Sequence, residues 1–150
     1  STLHTNDSPG AITRLMAMGV EPFLISSSLL GAMAQRLVRR LCPKCKEQAE
    51  IDDYAKDILG ISEDEEVTIY KAKGCPECND IGYKGRIAVY EIMEIDREIR
   101  QLIAKNANSD TIKDAAISKG MNTLRMNCAR LVKNGTTTID EMLKIAFSKD

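Results

Sequence analysis

Aromatic side chains are scarce in this 150-residue chain: they make up 4% of it, and tryptophan is absent. The core must therefore come mainly from aliphatic residues, methionine and alanine, within a hydrophobic share of 43%. The sequence also lacks the roughly 18 consecutive apolar residues of a transmembrane helix and the basic, then apolar, start of a signal peptide. These absences predict a cytoplasmic protein.

An excess of positive charge is missing too, because the net charge is −1. A protein that binds nucleic acid through its phosphates usually carries a basic balance, so this total argues against that function. Charge is nevertheless uneven along the chain. Residues 36–46 are rich in Arg and Lys, and residues 47–66 are rich in acids. Both runs are typical of solvated surface.

The hydrophobic pattern predicts a mostly helical fold with a small β excursion. Ser8 followed by Pro9 is typical of a helix start, with Ser8 as the N-cap. A longer helix is predicted from Pro22 to the first Cys-Pro, because four apolar residues repeat there at spacings of three and four. They are Leu30, Met33, Leu37 and Leu41.

The rest of the chain predicts two strands and then a run of helices. The strands are expected at residues 67–70 and 86–95, the second with Ile87, Val89 and Glu91 on one face. Gly60, Gly120 and Gly135 are placed to end helices, and Thr138 with Glu141 fits a capping box. The predicted helices cover residues 52–59, 96–105, 109–119, 124–134 and 139–147.

Four of the five cysteines form two matched pairs with the pattern Cys-Pro-x-Cys. They are Cys42 with Cys45 and Cys75 with Cys78. Each Cys-x-x-Cys turn can place two thiolates on one side of a tight knuckle, and two such knuckles complete a tetrahedral set of four sulfurs. This ligand set suits Zn²⁺. Four protein ligands leave no position for substrate, which predicts a structural ion.

Three other uses of these cysteines fit the sequence less well. Disulfides are rare in cytosolic proteins. A redox Cys-x-x-Cys is normally single and precedes a helix, whereas Cys42 is expected to follow one. An iron–sulfur cluster could use four thiolates, but two symmetric knuckles are more typical of zinc. The fifth cysteine, Cys128, falls on the apolar stripe of a helix and is interpreted as a small buried side chain.

Several strings in a fixed order resemble one family. They are Ser1–Asn6, Gly19–Pro22, Gln35–Cys42, the second knuckle with Gly82–Arg86, and Val89–Glu91. Together they resemble the C-terminal portion of the ATPases of type II secretion and type IV pilus assembly, the GspE and PilB kind. The likeness runs from residue 1 to about residue 147.

This resemblance implies a fold, partners and a location. It implies the C-terminal part of a RecA-like α/β P-loop ATPase core at residues 1–41, a tetracysteine zinc subdomain at 42–95, and a C-terminal helical bundle at 96–150. The family forms cytoplasmic homo-hexamers peripheral to the inner membrane, docked on membrane platform proteins. His4 matches the histidine box near the nucleotide γ-phosphate, and is thereby the candidate catalytic residue.

The sequence departs from the full family pattern in one respect: it contains no G-x-x-x-x-G-K-[ST] loop to cradle phosphates. ATP and Mg²⁺ are thus expected only in a longer parent protein, and this chain alone is predicted not to hydrolyse ATP. The start at Ser1, without an initiator methionine and on what reads as a strand end, also suggests a fragment.

Some assignments stay open at this point. Arg36, Arg39 and Arg40 could contact a neighbouring subunit or a phosphate, or could form a solvated helix face. Arg86 is equally undecided. Two other functions also remain as alternatives to the ATPase fragment. One is a zinc-ribbon module that binds nucleic acid, and the other is a zinc-stabilised scaffold for protein interaction.

Overall fold

The computed structural model describes residues 1–146, which form seven α-helices, four strands and a single 3-10 turn at Pro76–Cys78. The fold is thus a mixture of helices and small sheets. In chain order the elements are α1 (Ser8–Ala17), α2 (Pro22–Ser28), β1 (Gly31–Leu41), β2 (Glu47–Ala49), α3 (Asp53–Leu59), β3 (Ile69–Lys71), β4 (Tyr83–Glu94), α4 (Arg97–Ala104), α5 (Ser109–Ser118), α6 (Leu124–Lys133) and α7 (Ile139–Ala146).

The largest difference from the sequence prediction lies after Pro22. The predicted long helix stops at Ser28, and the residues that follow form the strand β1. Its buried positions are Ala34, Val38 and Leu41, whereas Met33 and Leu37 of the predicted apolar stripe are exposed. Pairing with β4 explains the change, because a strand partner supplies hydrogen bonds that local helix propensity does not predict.

Two two-stranded sheets are present in the described residues. In the first, β1 pairs with β4. The bonds Ile95 N to Leu30 O at one end and Cys42 N to Gly82 O at the other show that these strands run in opposite directions. In the second, the short strands β2 and β3 pair antiparallel, with Glu47 opposite Lys71.

Most of the predicted helix ends are confirmed. Gly60 ends α3 in the left-handed region at φ 67°, and Gly120 and Gly135 also have positive φ. The predicted cap of α1 is wrong by one residue, since Asp7 rather than Ser8 is the N-cap and accepts from Gly10 N at 2.8 Å. The predicted last helix is confirmed as far as Ala146, and residue 147 lies outside the described residues.

The chain divides into two compact units. Unit 1 consists of Ser1–Gln35 and Tyr90–Leu124, and unit 2 consists of Arg36–Val89 with the described residues from Arg125 onward. Within residues 1–146, no helix is both long enough and apolar enough to cross a bilayer.

Unit 1 has an aliphatic core of its own, built from α1, α2, α4, α5 and the end of β4. Its buried members, as composition predicts, include no aromatic residue: Ile12, Ile25, Met93, Ile95, Ile99, Ile103, Ile112 and Ala116. Removing these side chains from water supplies most of the stability of the unit.

A buried carboxylate also organises unit 1. Glu91 is 1% exposed and lies on the same buried face of β4 as Val89, which confirms the predicted shared face. Its Oε1 accepts from Ser8 N at 2.9 Å and from Ser8 Oγ at 2.7 Å, and its Oε2 accepts from Leu124 N at 2.9 Å. Helix N-termini present unpaired N–H groups and positive potential, so one carboxylate satisfies the starts of both α1 and α6.

Unit 2 contains both cysteine pairs, both short strands and the helices α3 and α7. Its interior is again aliphatic, and Cys128 of α6 is fully buried, as predicted. Burial, followed by the nearby charge of Glu141, raises the pKa of the Cys128 thiol to about 11. This thiol is therefore a packing group.

Candidate metal centre

The two cysteine pairs come from different parts of unit 2. Cys42 directly follows β1, and Cys45 lies in the turn beyond it. Cys75 precedes the 3-10 turn that ends at Cys78. The bond from Cys42 N to Gly82 O, 3.0 Å long, joins the first knuckle to the loop after the second.

Their four Sγ atoms all lie within 4.8 Å of one another. The separations are 3.8 Å for Cys42 to Cys75, 3.8 Å for Cys45 to Cys78 and 3.7 Å for Cys75 to Cys78. A tetrahedron of sulfurs about 2.3 Å from a central Zn²⁺ has edges of about 3.8 Å. The donor set therefore fits one zinc ion in both chemistry and spacing.

The same distances argue against two of the rival uses. All four cysteines are free, and the sulfur separations are far longer than the roughly 2.05 Å of a disulfide. A cluster of several irons would spread the sulfurs further, because the four thiolates would be divided among two or four irons. A single tetrahedral ion is the best match.

The second knuckle supplies hydrogen bonds to its own sulfur. Cys75 N and Gly82 N each donate to Cys78 Sγ at 3.2 Å. The chain can turn back in this way because Asn79 and Asp80 adopt left-handed conformations, with φ of 54° and 60°. Donated N–H bonds favour the thiolate over the thiol.

Gly82 is required at this place for two reasons. Its φ is +84°, and a Cβ there would lie 2.6 Å from the Cβ of Ala72. Any side chain would therefore displace the loop whose N–H reaches the sulfur of Cys78. In the sequence Gly82 belongs to a string that carries the family resemblance, but its role in orienting a ligand was not predicted.

The pKa values of the thiols show why a cation is needed. Burial alone raises the pKa of Cys78, but the N–H groups of Cys75 and Gly82 and the neighbouring thiols lower it to about 7. Burial, together with hydrogen bonds to the other three sulfurs and against the opposing backbone hydrogen bond of Gly74, raises the pKa of Cys45 to about 12. Several thiolates cannot share this space unless a positive ion compensates their charge.

Polar contacts within unit 2 join the cysteine-bearing segments to the loop between α6 and α7. Lys46 Nζ donates to Gly135 O at 2.9 Å, and Leu41 N donates to Thr136 O at 2.8 Å. The hydroxyl of Tyr83 lies 2.9 Å from that of Thr138. These hydrogen bonds therefore join the segments around the cysteine cluster to the residues that precede α7.

Arg39 has a structural role within this connection. Its backbone N donates to Glu141 Oε2 at 2.8 Å, its Nε donates to Oε1 at 3.0 Å, and its guanidinium lies 4.0 Å from the centre of the Tyr83 ring. Thr138 Oγ1 accepts from Glu141 N at 3.3 Å, so half of the predicted capping box is present. The Glu141 carboxylate is directed to Arg39 and Lys144.

The remaining predicted candidates do not join the metal centre. His4 is exposed and lies before α1 in a segment with no regular structure, so the expected strand end is not observed. Arg36, Arg39 and Arg40 lie on a strand, which replaces the predicted helix face. Arg86 is exposed on β4.

Two Cys-Pro-x-Cys knuckles that converge on one sulfur cluster, in a chain of helices and small sheets, define a protein whose four cysteines are arranged to hold a metal ion. The model of the type II/IV secretion system protein family matches residues 1–144, and the chain belongs to this family.

Individual relatives agree with this assignment. The chain is 45% identical to the type IV pilus assembly ATPase PilB of Myxococcus xanthus over 146 residues, which are 95% of this chain and 26% of the relative. It is 44% identical to type II secretion system protein E of Pseudomonas aeruginosa over 145 residues, 97% of this chain and 29% of the relative. It is 42% identical to the type II secretion system ATPase E of Vibrio cholerae, with the same coverage. The chain thus spans between a quarter and a third of the length of these relatives.

Proposed function

We propose that this chain is the C-terminal part of a cytoplasmic ATPase that powers type II secretion or type IV pilus assembly. Its own contribution is a structural Zn²⁺ site formed by Cys42, Cys45, Cys75 and Cys78. The family membership supports the first statement. The second is carried by the four sulfurs, which lie within 4.8 Å of one another.

The zinc ion would supply stability rather than catalysis. When bound, it neutralises the thiolates and holds together two chain segments that are about 30 residues apart. In small zinc domains such binding is worth about 10–16 kcal/mol. Arg39 and Tyr83 of unit 2 then fix the start of α7 through Glu141 and Thr138, and Lys46 fixes the preceding loop through Gly135.

The parent protein would supply the ATP chemistry. In this proposal residues 1–41 end a RecA-like core, residues 42–95 form the zinc subdomain and residues 96–150 form the C-terminal helical part. The boundaries of these three segments differ from those of units 1 and 2. His4 would sense the γ-phosphate in a homo-hexamer docked on membrane platform proteins. The relatives' names include both secretion and pilus ATPases, so either machine remains a candidate.

The test combines metal analysis with ATP turnover by the purified chain. We expect one zinc per chain and no Mg²⁺-dependent hydrolysis, because the phosphate-binding loop is absent from the sequence. Appreciable turnover would contradict the assignment of catalysis to the parent. A folded chain without metal would contradict the structural role of zinc, and salt-dependent binding of DNA or RNA would favour the nucleic-acid alternative.

A further inference from the structure

A basic cavity lies beside the metal centre in unit 2. Its volume is about 390 Å³, and its walls come from the end of β1, the first knuckle, the start of β4 and the loop after α6. The lining residues that carry the argument are Arg40, Lys46, Lys84, Asn134, Gly135 and Thr136. Three cationic residues thus line one cavity from three separate segments, and none of its lining residues in the described part of the chain is acidic.

The three cations are not used up by ion pairs. Within residues 1–146, Arg40 is exposed and makes no ion pair or side-chain hydrogen bond. Lys84 lies 3.8 Å from Glu77, and both side chains are more than half exposed, so this pair is weak. Lys46 donates one hydrogen bond to Gly135 O and lies 4.6 Å from the centre of the Tyr70 ring, and it makes no ion pair within the described residues.

The C-terminal end of α6 does not repel an anion from this cavity. A helix C-terminus normally presents unpaired carbonyls that repel negative charge. In this case Val132 O and Leu131 O accept from the N–H groups of Gly135 and Thr136, and the carbonyls of those two residues accept from Lys46 and Leu41. These four carbonyls are paired, so the charge of the cavity is set by its side chains.

We propose that this cavity binds a phosphate group. A planar carboxylate is satisfied by one guanidinium, whereas a tetrahedral phosphate has oxygens directed to several sides and can accept from Arg40, Lys46 and Lys84 together. Asn134 and Thr136 add neutral donors at the same wall. The phosphate can belong to a free anion or to the headgroup of an acidic phospholipid, which share this chemistry.

The experiment uses the zinc-loaded chain and two probes. The first is sodium phosphate against sodium chloride at equal ionic strength, followed by the amide NMR signals of residues 134–136. The second is co-sedimentation with vesicles of phosphatidylglycerol and phosphatidylcholine against vesicles of phosphatidylcholine alone. The variants are Arg40→Gln and Lys84→Gln. Lys44→Gln is the matched control, because Lys44 is an exposed charge of the same unit 2 and does not line the cavity.

We expect at least one probe to bind saturably, and Arg40→Gln should weaken this binding about tenfold. A charge-assisted hydrogen bond contributes about a factor of ten to affinity. Lys44→Gln should leave it within about twofold. Phosphate binding alone identifies a free anion as the ligand, and vesicle binding alone identifies a lipid headgroup. Binding that all three variants weaken equally, or no saturable binding of either probe, would overturn the proposal. Zinc content and circular dichroism of each variant verify its folding.

Discussion

Five cysteines have the same side-chain chemistry but occupy two kinds of environment. Changing any one of Cys42, Cys45, Cys75 or Cys78 to Ser should abolish tight zinc binding, because a hydroxyl is a poor ligand and the tetrahedron loses a corner. Cys128→Ala is the matched control, since this buried thiol lies outside the cluster. Elemental analysis of purified variants should give about one zinc per chain for the control only. Retention of zinc by a knuckle variant would contradict the assigned ligand set.

Glu91 allows a prediction about a single buried carboxylate. In Glu91→Gln an amide N–H₂ must replace one carboxylate oxygen and face a donor, either Leu124 N or the two donors of Ser8. One buried donor is then unpaired, which should lower the free energy of unfolding by about 1–3 kcal/mol. Urea unfolding followed by circular dichroism measures this change.

Glu94→Gln is the control for that measurement, because Glu94 is exposed on the same strand. Its effect should stay within about 0.5 kcal/mol. Equal stability of Glu91→Gln and the wild type would show that the hydrogen bonds of Glu91 do not hold the two helix starts.

Within individual elements, helix ends were more predictable than the long strand. Gly60 and the Asp52 cap define α3 through local chemistry at the two ends of a seven-residue helix. The strand β1 was missed because residues 30–41 carry an apolar repeat and good helix formers, while its partner β4 lies more than 40 residues further along the chain. Pairing over that distance cannot be deduced from a local period.

The first turn of α4 gives a prediction at the level of one helix. Asp96 Oδ1 caps it by accepting from Ile99 N at 2.9 Å. Asp96→Ala should therefore lower the free energy of unfolding by about 1 kcal/mol. Asp96→Asn should retain most of the stability, because Asn also caps helices well. Urea unfolding at pH 7 distinguishes these outcomes, and equal losses in both variants would assign the effect to charge instead.

The same carboxylate predicts a pH dependence. The N–H of Ile99, and then Lys119, hold the pKa of Asp96 below its usual 3.8. A lowered pKa in the folded state gives stability that is present above the unfolded value and lost as the pH falls through the folded one. An NMR titration of the Ile99 amide should therefore have its midpoint below 3.8, and a midpoint above 3.8 would contradict the contact.

For the whole molecule, the site was more predictable than the fold around it. Cys-x-x-Cys spacing is a short-range signal that does not depend on the preceding element, so the convergence of the four cysteines could be predicted although β1 could not. The network of Arg39, Tyr83 and Glu141 could not be predicted, because its members are brought together only by the packing of unit 2. The basic cavity depends on the same packing.

The two units should respond differently to removal of zinc. Unit 1 has its own aliphatic core, whereas unit 2 contains all four ligands. A strong chelator should therefore speed amide hydrogen exchange in β2 and β3 well before that of Ile103 and Ile112. Added zinc should restore the slow exchange. Uniform acceleration, or none, would show that the metal does not stabilise unit 2 selectively.

The proposed zinc site has sulfur ligands alone, which makes its occupancy sensitive to other metals in the cell. Thiolates bind soft ions strongly, so cadmium and copper(I) would compete with the proposed zinc ion for the same four sulfur atoms. Each tenfold fall in available zinc would also remove about 1.4 kcal/mol from the folded state, as long as zinc remains well above its dissociation constant. Maturation of this protein would thus depend on the nutritional supply of a trace element and on the machinery that keeps toxic metals away.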